Sequence, residues 1–293
     1  MTTEQHPTQG RSNGSQQQPD YVLCSIDRDG VATLTLNRPE KHNAFDDLMV
    51  HQLNEALAHL VVNPDVRVLV LRANGKHFST GADLNWMKSM AAKSQQENMH
   101  DAKRLANLMR RLDRFPHPTI AVVQGYAFGG ALGLICCCDI ALATPDAQFC
   151  LSEVKLGLVP ATIGPYICRT LGLRQARRYM LTGERFNAAK AEELGIIHQL
   201  IEPLDDSPSG EEVVQLLLLT LMENSPSALQ QAKALCHRCQ FQPIDQDLIQ
   251  HTSELIADVR VSEQGQEGLN AFFAKRLPSW HPKAGKGSEP DQD

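Results

Sequence analysis

The stretch from Thr119 to Cys138 constrains the fold more than any other. Thr119-Ile120-Ala121-Val122-Val123 is a run of small and β-branched residues, which predicts a strand buried on both faces. Gly125-Tyr126-Ala127-Phe128-Gly129-Gly130-Ala131-Leu132-Gly133 follows, and apolar residues continue to Cys138, predicting a glycine turn into a buried helix. Asp139-Ile140-Ala141-Leu142-Ala143 then reads as a second strand. Such a strand, turn, helix and strand bury their surfaces only inside an α/β layered fold with much parallel or mixed sheet.

The same unit suggests a binding role. Glycine lets backbone approach a ligand, and a helix start offers free N–H donors at the positive end of its dipole. Such a place suits an anion or a developing oxyanion. A dinucleotide fingerprint is a competing reading, because Glu153 follows at about the expected separation of 20 residues. The pattern is G-G-x-x-G instead of G-x-G-x-x-G, however, and Asp139 opens the next strand where an acid belongs at its end. The plainest alternative is that these glycines only bring helix and sheet close together.

Elsewhere, Val31 to Leu36 alternates, with Ala32, Leu34 and Leu36 on one face. Asn37 to Asn43 is a polar turn around Pro39, and Leu48, Leu53, Leu57 and Leu60 mark an amphipathic helix. Val66 to Leu71 predicts a buried strand, Ala73 to Gly81 a loop, and Gln95 to Leu112 a polar amphipathic helix closed by Pro116 and Pro118. Beyond Pro203 only helices are expected: 211–223, 227–239, 244–259 and 265–276. The expected organisation is a disordered tail over 1–20, an α/β core over 21–203, a helical region over 204–280 and a polar tail over 281–293.

The net charge of -6 and the absence of a basic stripe speak against nucleic acid. The longest apolar stretch, Val213 to Met222, is too short for a membrane span of about 20 residues. The start resembles neither a secretory nor a transit segment, so a cytoplasmic protein is expected. Eight cysteines are present, among them the consecutive Cys136, Cys137 and Cys138. They read as small buried residues of a reducing compartment, and the lone pair Cys236 and Cys239 as helix residues with no metal.

Five motifs stand in order along the chain. Asn37-Arg38-Pro39 to Asn43-Ala44 matches N-R-P-x-x-x-N-A, and Phe78 to Leu84 with its Gly81-Ala82-Asp83 matches a G-A-D-[LI] loop. Gly125 to Gly130 matches G-x-[AS]-x-G-G; Cys138-Asp139-Ile140 and Ala147-Gln148-Phe149 with Glu153 complete the set. Together they resemble the enoyl-CoA hydratase/isomerase (crotonase) superfamily, over about Val22 to Trp280. The resemblance implies a spiral of repeated ββα units, with C-terminal helices that assemble trimers or hexamers. It implies an acyl-CoA substrate, with coenzyme A as part of that substrate and no separate cofactor or metal. Ala82 and Gly130 would form an oxyanion hole for the thioester oxygen through their backbone N–H groups. Lys41 would lie near the phosphates, and Ala82, Asp83, Leu84 and Asn85 beside adenine and pantetheine. Ala44 belongs to the same substrate-binding set, Trp86 and Met87 would line the acyl pocket, and Phe273 and Lys275 would reach a neighbouring subunit's CoA.

In the family, hydratases commonly use two glutamates. Glu153 matches one, and Gly133 stands where the other would be. Glu153 lies among Leu151, Val154, Leu156 and Leu158, where partial desolvation would raise its pKa and suit it to general acid catalysis. Asp139 is expected to be structural and Asp83 to shape its loop. Finer stretches, Asp83 to Met87, Gly130 to Ile135, Phe149 to Val154, Ala176 to Tyr179 and Arg260 to Gly268, resemble bacterial 3-methylglutaconyl-CoA hydratases of leucine breakdown. Arg169 and Lys155 are candidate cations for the second carboxylate of such a substrate. Rival readings are an isohexenylglutaconyl-CoA hydratase, a Δ3,Δ2-enoyl-CoA isomerase, or a non-catalytic CoA- or RNA-binding relative.

Overall fold

The computed structural model describes residues 19–203 and 208–284. Most of each expected tail, 1–18 and 285–293, and the expected boundary at 204 lie outside these residues. The strands are β1 (Val22–Ile26), β2 (Val31–Leu36), β3 (Val68–Ala73), β4 (Thr119–Val123), β5 (Tyr126–Phe128), β6 (Ile140–Ala143), β7 (Gln148–Cys150), β8 (Arg185–Asn187) and β9 (Gln199–Leu200). The helices are α1 (Asp47–Val62), α2 (Leu84–Ala91), α3 (Gln95–Asp113), α4 (Gly130–Cys137), α5 (Gly164–Thr182) and α6 (Ala188–Glu193). Four more, α7 (Pro208–Met222), α8 (Pro226–Cys239), α9 (Gln246–Val261) and α10 (Glu263–Phe273), form the helical C-terminal region.

Strand order in the large sheet is β1-β2-β3-β4-β6-β9, antiparallel at β1 with β2 and parallel thereafter. A small sheet runs β5-β7-β8. The period of two explains how the large sheet is covered. Ala32, Leu34, Leu36, Leu69, Leu71, Ala121 and Val123 face one core with α1, α3 and α4. Val31, Val68, Val70, Ile120 and Val122 face the opposite core, closed by Val214, Leu218 and Met222 of α7. Burying each large aliphatic side chain contributes about 1.5–3 kcal/mol, and β4 is buried on both faces along its whole length.

After β4 the chain visits both sheets in each turn: β4 to β5 to α4, then β6 to β7 to α5. The loop after β3 follows the same course in abbreviated form. Ser79 lies beside Ala127 as a single parallel bridge, and α2 begins shortly after. Phe45 in turn pairs with Ala82 just before α1. Successive turns therefore bring their strand-to-helix junctions side by side.

Asp139 is structural, as expected. Its carboxylate accepts from the N–H and hydroxyl of Thr119 and from Lys233 of α8. All eight cysteines are free; Cys136 and Cys137 are buried, whereas Cys236 and Cys239 are exposed. No helix among the described residues is long and apolar enough to cross a membrane.

Candidate active site

The site forms where those junctions align. The Ser79 N–H donates to Tyr126 O at 2.9 Å, and the Phe128 N–H donates to Ser79 O at 3.0 Å. Three residues beyond this matched pair lie Ala82 on one strand and Gly130 on the other. On the far side of Ala82, Phe45 donates its N–H to Gly81 O at 2.7 Å and accepts from the Asp83 N–H at 2.8 Å. In a parallel pairing of this kind the central residue directs its own N–H and C=O away from the partner. Ala82 is exposed between buried Gly81 and Asp83, and its N–H has no hydrogen-bond partner among the described residues.

Gly130 is the first residue of α4, a position whose N–H has no acceptor within its own helix. Gly129 before it adopts φ 53°, ψ -120°, which an L side chain rarely tolerates. Its N–H donates to Cys150 O at 2.9 Å, tying the turn to the end of β7. A Cβ at Gly129 would stand 3.1 Å from Glu153 Oε1, so the absent side chain leaves room for that carboxyl. A Cβ at Gly130 would stand 3.2 Å from the Phe45 ring. Phe45 thus clasps Ala82 with its backbone and rests its ring on Gly130.

Glu153 opens a short 3-10 turn ending at Leu156. Its Oε2 is buried with no hydrogen-bond partner, and burial pushes the carboxyl above its ordinary pKa. A carboxyl held in this way exchanges protons nearer neutrality than a solvated one.

Two side chains hold the frame. Asn43, fully buried at φ 52°, accepts from the Arg38 N–H at 2.7 Å and donates to Asn74 O and His77 O at 2.9 Å each. Arg38 meets Asp46 at 2.9 Å and Asp83 at 3.2 Å, the residues that cap α1 and α2. Asp83 accepts from the Asn85 and Trp86 N–H groups, so it starts a helix and does more than shape a loop. Burial pushes its carboxyl up, but those bonds and the Arg38 charge outweigh this and leave its pKa lowered. The spacing in N-R-P-x-x-x-N-A gives Arg38 and Asn43 away as a pair. Phe45, just beyond that motif, carries no such signal.

Gly133 has a definite neighbour. A Cβ there would lie 2.2 Å from Ile163 Cγ2 and 2.7 Å from its Cβ. Ile163, 2% exposed at the start of α5, fills the place where a side chain at 133 would begin. The returning chain that carries Glu153 packs onto α4 through this contact. Gly133→Ala should lower stability by about 1–3 kcal/mol through overpacking, measured by urea denaturation. Ile163→Ala in the same chain should recover part of the loss, because the two changes share one space.

Other expected residues are placed less centrally. Lys41 ends an exposed 3-10 turn, and Ala44 is buried with its carbonyl accepting from Arg38. Leu84, Asn85 and Met87 lie on the first turn of α2, Leu84 being 74% exposed. Phe273 ends α10 and Lys275 lies two residues beyond; the Phe273 ring meets that of Phe272, and the Lys275 N–H donates to Phe272 O. Arg169 is engaged with buried Asp113, which holds its pKa up against the downward pull of burial, so it is not a free cation for substrate. Lys155 is exposed beside Gly183.

Comparison with known proteins places the chain in a family. The family model described as "Enoyl-CoA hydratase/isomerase" matches residues 27–283. The 2,3-dehydroadipyl-CoA hydratase of Escherichia coli is 32% identical over 251 residues, 85% of this chain and 94% of that protein. A crystal structure of an enoyl-CoA hydratase from Shewanella pealeana is 52% identical, with a TM-score of 0.85 over 89% of this chain and 96% of that one. One from Mycobacterium smegmatis is 32% identical, with a TM-score of 0.82 over 90% and 100%. The chain belongs to the enoyl-CoA hydratase/isomerase family, and its fold is the α/β crotonase fold.

Proposed function

We propose that this chain adds water across the α,β double bond of a branched, acid-bearing enoyl-CoA, with 3-methylglutaconyl-CoA as the substrate. The observation that carries the reading is the half-buried Glu153 carboxyl, its Oε1 against Gly129 and its buried Oε2 without a partner, near two N–H groups that lack acceptors among the described residues. In this reading the Ala82 and Gly130 N–H groups bind the thioester oxygen and stabilise the enolate that forms as water adds. Such a donor lowers the barrier by about 3 kcal/mol. Glu153 takes a proton from water as its oxygen bonds to the β-carbon, then returns that proton to the α-carbon. One carboxyl therefore begins and ends the cycle in the same state.

The acid-bearing acyl group is supported by the E. coli relative, which is named for a 2,3-dehydroadipyl-CoA substrate. Lys41, exposed ahead of the site, suits the CoA phosphates, with Ala44 and Ala82 to Asn85 along the rest of the carrier. Trp86 and Met87 would border the acyl group. Exposed Phe241, Ile244, Phe272, Phe273 and Leu277 of the C-terminal region favour assembly into trimers or hexamers, in which Phe273 and Lys275 would reach a neighbour's CoA. Light scattering decides the assembly.

One observation favours a second reading. Ile163 stands where a second acid would begin, and a site with one carboxyl also suits moving a double bond between the Δ3 and Δ2 positions. The purified protein should bleach the enoyl-thioester absorbance of 3-methylglutaconyl-CoA at least about tenfold faster than that of crotonyl-CoA. NMR should show a 3-hydroxy product. A shifted double bond with no oxygen gained would establish the isomerase instead, and no turnover of any thioester would end both readings.

A further inference from the structure

Five buried side-chain nitrogen or oxygen atoms among the described residues lack a hydrogen-bond partner. Three are the Nε atoms of Arg38, Arg67 and Arg104, whose guanidinium groups are held through other nitrogens. The remaining two are Glu153 Oε2 and Trp86 Nε1. The indole N–H is the one polar atom of a tryptophan side chain, so Trp86 is wholly unsatisfied. Buried indole N–H groups usually find an acceptor, and leaving one without is costly.

Its place in the fold connects it with the site. Trp86 lies in the first turn of α2, its backbone N–H bonded to the Asp83 carboxylate one residue past Ala82. Leu84 and Asn85 are exposed, whereas Trp86 is 9% exposed and shares a core cluster with Phe45. Phe45 is the residue that clasps Ala82 and rests on Gly130. Apart from the arginine Nε atoms, the two buried side-chain polar atoms without a partner among the described residues thus belong to strand-to-helix junctions on either side of the Gly130 turn, one an acid oxygen and the other a donor.

We infer that the Trp86 indole N–H is a specificity donor, hydrogen-bonding an acceptor oxygen carried by the acyl chain of the substrate. This rests on the enoyl-CoA reading above and deepens it: in that reading the acceptor belongs to the distal carboxylate. A donor is the right chemistry for an oxygen and gives nothing to a purely hydrocarbon tail. The cation that would otherwise serve, Arg169, is committed to Asp113.

Trp86→Phe removes the N–H and keeps an aromatic ring. Steady-state kinetics on 3-methylglutaconyl-CoA and 2,3-dehydroadipyl-CoA should show kcat/KM falling about ten- to a hundredfold. Crotonyl-CoA, which has no distal oxygen, should lose about tenfold less, because only the packing of the ring against the acyl group changes for it. An equal fall on all three would assign Trp86 to packing alone and overturn the inference, as would no change on any. Wild-type failure on every thioester would defeat the reaction assignment itself, a result distinct from lost selectivity. Should the variant not fold, 15N-labelled wild-type protein supplies the test, with Trp280→Phe to assign the indole signals. The Trp86 N–H resonance should move downfield with glutaryl-CoA and not with butyryl-CoA; identical responses to both would overturn the inference.

Discussion

Glu153→Gln should lower kcat on the preferred enoyl-CoA by about 10²–10⁴-fold, the usual contribution of a positioned acid–base group, with KM within a few-fold of wild type. The amide keeps the shape of the carboxyl beside Gly129 but neither takes nor returns a proton. Rapid-quench or absorbance assays give kcat, and calorimetry with a saturated acyl-CoA reports binding. Wild-type turnover in the variant would remove Glu153 from the chemistry. The same substitution has a stability signature whose sign follows from the raised pKa. A carboxyl raised by burial holds its proton more tightly folded than unfolded, so the folded state binds more protons between the ordinary and the raised pKa. Stability therefore falls as pH climbs through that window. Glu153→Gln lacks the penalty and should melt higher than wild type above the window, the gap closing as pH drops below the ordinary carboxyl range. Thermal melts across a pH series would show it, and a gap of opposite sign would contradict the desolvated placement.

Gly130→Pro should lower kcat about 10²–10³-fold relative to Gly130→Ala, the loss expected for one oxyanion donor. Proline is tolerated at the first position of a helix, where its missing N–H breaks no helical bond. Gly130 has a negative φ, being absent from the left-handed glycines. The alanine variant is the needed reference, because a Cβ there meets the Phe45 ring at 3.2 Å in both proteins. What separates the two is chiefly the amide hydrogen. Circular dichroism confirms folding, and equal kcat in the pair would show that this N–H does not serve the reaction.

Much of this architecture was legible beforehand, for physical reasons. The run from Thr119 to Val123 is buried along its whole length, so its composition carries no polar interruption to mislead. Ala32, Leu34 and Leu36 keep a strict period of two because the residues between them, Thr33 and Thr35, are only half-buried on the opposite face of β2. The C-terminal helices fall within a few residues of their expected limits, which caps such as Ser225, Asp245 and Ser262 set. Other parts leave weaker traces. Strands β5, β7 and β8 have three residues each, too few for alternation to register. Helix α2 hides because Leu84 and Met87 blur its apolar face and its cap, Asp83, reads as part of a loop motif. In α5, Gly172 at φ 70° interrupts the helix, so Ile167, Leu171, Ala176 and Tyr179 follow no single period. The engagement of Arg169 with Asp113 and the contact of Ile163 with Gly133 join residues far apart along the chain, which local pattern does not report.

Phe45, Ala82, Gly130 and Glu153 each stand at a different turn of the spiral, and every turn is anchored by its own strand and helix. In the proposed reaction, responsibility for the chemistry is consequently split among independently supported pieces. Replacing an acid at one junction leaves the donors at the others where they were, so one scaffold can exchange one reaction for another without being rebuilt.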